Sequence, residues 1–285
     1  MLVAHRFNQI VRFARRLAGR GMNVTCRRRG VRWTLDLDEG IDLSIYLLGA
    51  YEPRTLRAYR AILAPLREAV VFDIGANIGA HSLHFARLVA PGGRVFAFEA
   101  TDYAFGKLRL NLGLNPALAP LVTAQQVYLT ADRAGAPPES LCASWPVDVL
   151  SDDVHSHSLG RSKSLASARA MTGDDFCRTA GITRLDLLKI DVDGNEHSVL
   201  HGFHDTLARF RPVLLVELAP YFHVRGENDA FEQMIRLLHD LRYDFFDANN
   251  GRPLPSGVDQ LRARIPAGAS VNAMLLSRSR DRGAG

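Results

Sequence analysis

The feature that most limits what this chain can fold into is a short apolar segment that ends in a glycine-rich loop. Residues 70–74 are Val-Val-Phe-Asp-Ile, and Gly-Ala-Asn-Ile-Gly follows at 75–79. A short run that is apolar almost throughout is typical of a strand buried on both faces of a parallel sheet. The spacing of apolar residues after the loop predicts a helix as far as residue 89. The segment therefore predicts the strand–loop–helix unit of an α/β fold.

Buried strands and helices alternate along the rest of the chain. Such alternation implies right-handed crossovers and a doubly wound sheet, so the predicted fold class is α/β. Residues 131–170 are rich in Ser, Ala, Pro and Asp with little periodicity, which predicts a long excursion over the substrate site rather than another domain. Further strands are predicted at 94–98, 121–129, 185–191, 213–218, 243–247 and 271–276, and helices at 53–66, 102–112, 195–209 and 228–241.

Positive charge is concentrated at the start of the chain. Nine arginines precede the first acidic residue, Asp36, whereas the whole chain carries a formal net charge of only +5. Apolar residues within this arm recur at helical spacing, which predicts an amphipathic helix. We therefore predict a basic amphipathic extension at 1–30 and a single α/β domain at 31–285. The arm either packs on that domain or meets an anionic membrane surface or a polyanionic partner.

Composition restricts the class of protein and its compartment. The content of 47% hydrophobic and 23% charged residues is ordinary for a folded, soluble protein of 285 residues. No apolar stretch approaches the roughly 18 residues of a membrane span. The three cysteines are far apart and form no metal-ligand spacing, which favours a reducing compartment and predicts no metal. We expect a cytoplasmic protein, with the arm as a means of peripheral membrane attachment. Few aromatic residues accompany the arginines, so no nucleic acid is expected.

Carboxylates recur where the predicted strands end. Ligands of open α/β sheets bind beyond the carboxyl ends of the strands, so these side chains are candidates for the site. The helix after the glycine-rich loop is expected to point free N–H groups into the same crevice. The carboxylates are Asp73, Glu99, Asp191 and Glu217.

The loop indicates which ligand these carboxylates hold. Dinucleotide sites have the pattern GxGxxG, whereas residues 75–79 have GxNxG directly after a strand that contains Asp73. That carboxylate would repel a phosphate and attract an ammonium or a sulfonium group. Glu99, at the end of the next strand, can accept hydrogen bonds from both hydroxyls of a ribose. The predicted cofactor is therefore S-adenosylmethionine, which carries a ribose and two cationic groups but no phosphate.

Three segments resemble the FkbM family of S-adenosylmethionine-dependent methyltransferases. They are Val-Phe-Asp-Ile-Gly-Ala-Asn-Ile-Gly at 71–79, Phe-Glu-Ala at 98–100 and Leu-Leu-Lys-Ile-Asp-Val-Asp-Gly-Asn-Glu at 187–196, with similar flanks at 33–52 and 173–176. Asp-Gly-Asn-Glu at 193–196 departs mildly from the family's common Glu-Gly-Ala-Glu. The resemblance implies a class I methyltransferase (Rossmann-like) fold, with seven strands, mostly parallel, and an antiparallel last strand. It also implies O-methylation of a hydroxyl on a sugar, a glycolipid or a polyketide-type product.

The resemblance suggests site residues as well. An alcohol acceptor must lose a proton during methyl transfer, so the catalytic candidates are carboxylates near the reacting methyl group and a histidine in the excursion. These candidates are Asp191, Glu217 and His157. The predicted cofactor-binding residues are Asp73, Gly75, Ala76, Asn77, Gly79, Glu99 and Asp132.

Other interpretations stay open at this stage. The chain could be a non-catalytic protein that binds an adenosyl cofactor, and catalytic turnover would exclude this. It could be a nicotinamide-dependent oxidoreductase, against which the missing GxGxxG argues. The acceptor atom could be nitrogen rather than oxygen, which the fold does not decide.

Overall fold

The computed structural model describes residues 10–15, 17–132, 137–144, 161–223 and 229–278. The strands are β1 (Asn23–Arg28), β2 (Val31–Asp36), β3 (Val70–Ile74), β4 (Arg94–Phe98), β5 (Val122–Gln125), β6 (Val127–Leu129), β7 (Ser140–Ser144), β8 (Arg161–Ser164), β9 (Arg169–Met171), β10 (Leu187–Ile190), β11 (Val213–Leu218), β12 (Tyr243–Asp247) and β13 (Val271–Ser277). The helices are α1 (Gly40–Leu48), α2 (Thr55–Leu63), α3 (Ser82–Val89), α4 (Asp102–Gly113), α5 (Gly173–Thr179), α6 (Glu196–Gly202), α7 (His204–Phe210), α8 (Ala230–Asp240) and α9 (Val258–Arg264).

Seven strands form the central sheet, in the order β12-β13-β11-β10-β3-β4-β5. Strands β11, β10, β3, β4 and β5 are parallel, and β13 runs antiparallel to both of its neighbours. This arrangement confirms the predicted doubly wound sheet with an antiparallel last strand. The chain proceeds outward from β3 in one direction and returns to β10 on its other side, so the sheet order reverses between these two strands. That switch point is where ligands of such sheets bind.

Strand β3 is apolar because both faces of the sheet are covered. All five of its residues are buried. Phe72 packs in an aromatic cluster that includes Phe96, Phe176 and Phe203, on one face. Val71 points to the opposite face, where a second apolar core contains Trp33. Burial on two sides explains why this strand shows no polar alternation.

The segment 121–129, predicted as one strand, forms two strands that separate at Gln126. Strand β5 stays in the main sheet, whereas β6 leaves it and pairs in parallel with β9. The Gln126 side chain donates a hydrogen bond of 2.7 Å to Asp102 at the beginning of α4. The predicted excursion at 131–170 therefore starts and ends near this small pair, and β7 and β8 form an antiparallel pair within it.

The predicted helix at 195–209 is broken at Phe203, which separates α6 from α7. The Phe203 ring is fully buried, and it closely covers Gly173, where a Cβ atom would lie 2.3 Å from the ring. A Cβ at Gly202 would lie 2.2 Å from the carbonyl oxygen of Thr130. Packing against β6 and α5 thus determines the break. Short helices α1, α5 and α9 were not predicted.

The hairpin of β1 and β2 crosses the predicted boundary at residue 30. Strand β2 buries alternate side chains, among them Trp33, in the core below. From β1, the Arg28 side chain donates a hydrogen bond of 2.7 Å to the carbonyl of Tyr46 and lies 4.7 Å from the centre of its ring. Before the hairpin, residues 10–15 are helical, and Arg12 pairs with Asp38 at 2.7 Å. None of the helices in these described parts is long and apolar enough to span a membrane.

Candidate active site

Every backbone N–H group of the glycine-rich loop at 75–79 already donates a hydrogen bond within the protein. A phosphate site at a helix N-terminus needs free N–H groups directed at the ligand. The loop therefore lacks the donors of a dinucleotide site, and the free donors expected from the sequence are not found within it. The N–H groups of Gly75 and Ala76 donate to the Phe98 carbonyl at 3.0 and 2.9 Å, that of Asn77 to Glu99 at 2.9 Å, that of Ile78 to the Asn77 side chain at 2.8 Å and that of Gly79 to the Ala76 carbonyl at 2.8 Å.

Three residues of the loop adopt left-handed backbone conformations. Gly75 has φ +73°, and a Cβ atom there would lie 1.8 Å from the Asp191 carbonyl oxygen. Gly79 has φ +87°, and its added Cβ would lie 2.8 Å from the Leu108 side chain. Asn77, with φ +50°, is of a type that tolerates this region. Close packing against neighbouring elements, as well as the turn itself, thus requires the two glycines.

Glu99 fastens the loop to the end of β4. One carboxylate oxygen accepts the Asn77 N–H, and the other accepts the N–H and the hydroxyl of Thr101 at 2.9 and 2.7 Å. Burial raises the pKa of Glu99, and the hydrogen bonds from Thr101 and Asn77 oppose that rise. A carboxylate has about four lone-pair positions, so this one keeps acceptor capacity for a ribose hydroxyl. The loop and Glu99, each named from the sequence as a candidate for cofactor binding, are thus in direct contact.

Asp73 occupies a different position from the one its charge suggested. Its side chain is fully buried, and it accepts a hydrogen bond of 2.6 Å from the Ser82 hydroxyl. Its other oxygen lies 3.1 Å from the Lys189 ammonium. Burial raises the pKa of Asp73, and the charge of Lys189 opposes that rise. The carboxylate is thus already paired within the protein, and it holds the base of the loop rather than facing solvent.

Lys189 is a site residue that the sequence analysis did not identify. Its ammonium lies 3.5 Å from Asp191 and donates to the carbonyls of Ile74 and Gly75, each at 3.3 Å. Burial alone would lower the pKa of Lys189, but the charges of Asp73 and Asp191 raise it above its ordinary value. The available signal was a lysine in the otherwise apolar run 187–190, two residues before a strand-end carboxylate.

Glu52 is a second residue that was missed. It precedes α2, has φ +46°, and accepts a hydrogen bond of 2.7 Å from Asn272 of β13. Its other oxygen lies 3.8 Å from Nε2 of His81, which is buried with neither ring nitrogen hydrogen-bonded. Burial and then the charge of Asp191 raise the pKa of Glu52. The segment containing Glu52 was noticed only as a flank of the family resemblance, without a role.

The two carboxyl groups predicted to be catalytic have different environments. Asp191 directly follows β10 and is 27% exposed beside Lys189. Glu217 lies in β11, where burial and then the charge of Asp191 raise its pKa to about 9. A carboxyl group with that pKa is protonated at neutral pH and is poorly suited to accept a proton. Tyr221 follows β11, and burial together with the charge of Glu217 raises its pKa to about 12.

Two other predicted residues contribute less to this picture. Asp132 is exposed and follows β6, the strand that has left the main sheet. His157 lies outside the described residues. Within the described parts of the chain, no group of three or more His, Cys, Asp or Glu side chains is arranged to hold a metal ion.

The doubly wound sheet, with Glu99 holding the glycine-rich loop at its switch point, fits an S-adenosylmethionine-dependent methyltransferase. The chain belongs to the FkbM family of these enzymes, because the family's methyltransferase domain matches residues 73–245, more than half of the chain. S-Adenosylmethionine is accordingly the cofactor. The residues of this site fit it, since Glu99 can accept a hydrogen bond from a ribose hydroxyl and the loop has no free N–H groups that a phosphate would need.

Three characterised relatives are similar in sequence. The 31-O-demethyl-FK506 methyltransferase FkbM of Streptomyces tacrolimicus is 29% identical, over 70% of this chain and 82% of that protein. The 2-O-methyltransferase NoeI of Sinorhizobium fredii is 24% identical, over 61% and 77%. The hexuronic acid methyltransferase AglP of Haloferax volcanii is 27% identical, over 54% and 60%. Among solved structures, an FkbM methyltransferase from Methylobacillus flagellatus gives a TM-score of 0.45 at 15% identity, covering 81% of this chain and 49% of that one.

Proposed function

We propose that the protein transfers the methyl group to a hydroxyl of a sugar, a glycolipid or a polyketide-type product. The observation that carries this proposal is the partly exposed Asp191 carboxylate at the switch point, next to the loop assigned to the cofactor. An alcohol needs a base when it is methylated, and this carboxylate is suitably located. The names of two relatives specify an oxygen position, which also supports an oxygen acceptor.

Each site residue has a part in this reaction. The bound cofactor supplies an electrophilic methyl group on its sulfonium sulfur. Glu99 would accept a hydrogen bond from a ribose hydroxyl of the cofactor, and the loop 75–79 would form the surface against which the cofactor binds. Asp191 would take the proton of the acceptor hydroxyl while that oxygen receives the methyl group from the cofactor, which would leave as the uncharged thioether. Glu217, protonated at neutral pH, donates a hydrogen bond to a second oxygen of the acceptor.

Two measurements test the proposal. Calorimetric titration with S-adenosylmethionine, S-adenosylhomocysteine and NADH should show micromolar binding of the adenosyl ligands alone, because the loop has no donors for a pyrophosphate. Mass spectrometry should then show methyl transfer to sugar or polyketide hydroxyls rather than to matched amines, and Asp191→Asn should abolish it while cofactor binding remains. Binding of NADH, or transfer to amines alone, would refute the proposal. Cofactor binding without any turnover would favour the non-catalytic alternative.

We also propose that the N-terminal arm attaches this cytoplasmic enzyme to an anionic membrane surface. Ile10, Phe13 and Leu17 are 64%, 67% and 73% exposed, and their spacing places them on one face of a helix. Exposed arginines, including Arg20 and Arg27, lie in the same part of the chain. An apolar helix face accompanied by cations is typical of helices that lie in a lipid interface.

Vesicle sedimentation tests the attachment. The full chain should bind vesicles of phosphatidylserine and phosphatidylcholine but not of phosphatidylcholine alone, and binding should fall with salt. A variant with Ile10, Phe13 and Leu17 replaced by Ser should lose binding. Leu110→Ser is the control, because Leu110 is an apolar side chain that is 61% exposed on α4 and is not part of residues 1–30. Equal sedimentation of the triple variant and the control would contradict the proposal.

A further inference from the structure

Lys189 connects the cofactor loop with the carboxylate proposed as the base. Its ammonium is 3% exposed and touches four oxygens, those of Asp73 and Asp191 and the carbonyls of Ile74 and Gly75. The two carboxylates come from neighbouring strands, β3 and β10. A buried cation in contact with both therefore determines their separation and how much negative charge reaches the cofactor.

The charges around the ammonium are unequal in number. Asp73, Asp191 and Glu52 are the carboxylates whose charges act on Lys189, which is the cation among them. Removing that cation would leave the carboxylates uncompensated. The field at the end of β3 and β10 would then become more negative by up to one unit charge, less any proton that the buried Asp73 takes up.

We propose that Lys189 is a positioning residue that limits how strongly the site favours the cationic methyl donor over its uncharged thioether product. The inference rests on the proposed function. Methyl transfer removes the positive charge of the sulfonium, so a strongly anionic site would stabilise the reactant more than the transition state. Lys189 offsets part of that charge and keeps Asp191 in place. The site thus binds the donor without overstabilising it.

The test compares two cofactor forms rather than activities. S-Adenosylmethionine carries one positive charge more than S-adenosylhomocysteine, so the ratio of their Kd values reports the field in the site. We expect Lys189→Met to shift this ratio in favour of S-adenosylmethionine by up to about tenfold, the order of effect of one nearby unit charge at an effective dielectric constant of about 20. Lys189→Arg should leave the ratio unchanged, and Asp191→Asn should shift it in the opposite direction.

Each result has a distinct meaning. If Lys189→Met weakens both ligands equally, Lys189 is only a scaffold and the inference is overturned. If that variant does not fold, the ratio in Asp191→Asn decides, because an unchanged ratio there also overturns it. Failure of the wild-type protein to bind either adenosyl ligand would overturn the proposed function, and with it this inference. Binding with an unchanged ratio would overturn the inference alone.

Discussion

Asn272 of the last strand donates a hydrogen bond of 2.7 Å to the carboxylate of Glu52, 220 residues earlier in the chain. Both residues lie outside the matched family region 73–245. Glu52 has a left-handed backbone conformation, which is uncommon for a side chain of its kind. The contact thus fixes a carboxylate near Asp191 by joining the two ends of the domain.

A double-mutant cycle measures this contact. Asn272→Ala should lower the free energy of unfolding by about 1–2 kcal/mol, because it removes a partner of a largely buried carboxylate. In combination with Glu52→Ala, the effects should differ from additivity by about 1 kcal/mol. Urea unfolding of the wild type, the two single variants and the double variant provides the four values. Strictly additive costs would show that the hydrogen bond does not contribute.

Gly75→Ala should be among the most damaging single changes in the chain. The added methyl group would overlap the Asp191 carbonyl, and the residue would keep φ +73°. We expect the free energy of unfolding to fall by more than about 3 kcal/mol, or the variant not to fold. Gly106→Ala is the matched control, because nothing lies within 4 Å of its added Cβ and it is inside α4. That change should raise the free energy of unfolding by about 0.5–1 kcal/mol, as measured by thermal unfolding. Similar effects of the two changes would refute the packing argument.

Glu99→Gln should weaken binding of S-adenosylmethionine at least about tenfold, as expected for hydrogen bonds to a charged group. An amide in place of the carboxylate has one acceptor oxygen instead of two, so the Asn77 and Thr101 donors cannot both keep their bonds. Asp240→Asn, an exposed carboxylate at the end of α8, is the control and should leave Kd unchanged. Calorimetry that finds the same Kd in Glu99→Gln as in the wild type would exclude a role in cofactor binding.

The raised pKa of Glu217 predicts how stability changes with pH. Folded, the group keeps its proton up to about 9, whereas the unfolded chain loses it near 4.5. Between these values the folded state binds more protons, so the group's contribution to stability falls as pH rises. Glu217→Gln removes that dependence. Between about pH 5 and about pH 8, the free energy of unfolding of Glu217→Gln, measured in urea, should rise relative to that of the wild type by up to about 1.4 kcal/mol per pH unit. Parallel curves would contradict the prediction.

The sequence predicted the buried strands well because local composition determines them. The predicted bounds of β3, β4, β11 and β12 agree with the structure. The first three are short, mainly apolar runs inside the sheet, whereas β12 is an edge strand that buries Tyr243 and Phe245 in alternation with half-buried residues. The end of β5 was not predicted. Strand β6 continues the apolar pattern, and only its pairing with β9, 42 residues further on in the register Val127–Arg169, takes it out of the sheet.

The sequence predicted only those parts of the site that form a local pattern. The loop and Glu99 carry a local pattern that chemistry can interpret, and the structure joins them. The roles of Lys189 and Glu52 depend on contacts between distant segments, which spacing in one sequence does not reveal. Asp73 is a further contact that the sequence alone did not reveal. Its charge was expected to attract a cationic group of the ligand, but it is paired with Lys189 of another strand.

The pairing of β6 with β9 has an evolutionary consequence. The segment between these two strands begins and ends in a small parallel pair outside the main sheet, while the cofactor loop and β3, β4 and β10 lie elsewhere in the sequence. An insertion, deletion or exchange between residues 131 and 168 therefore need not alter the register of any central strand. Related genes can therefore differ in the length and composition of this segment while β3, β4 and β10 are inherited in an unchanged register.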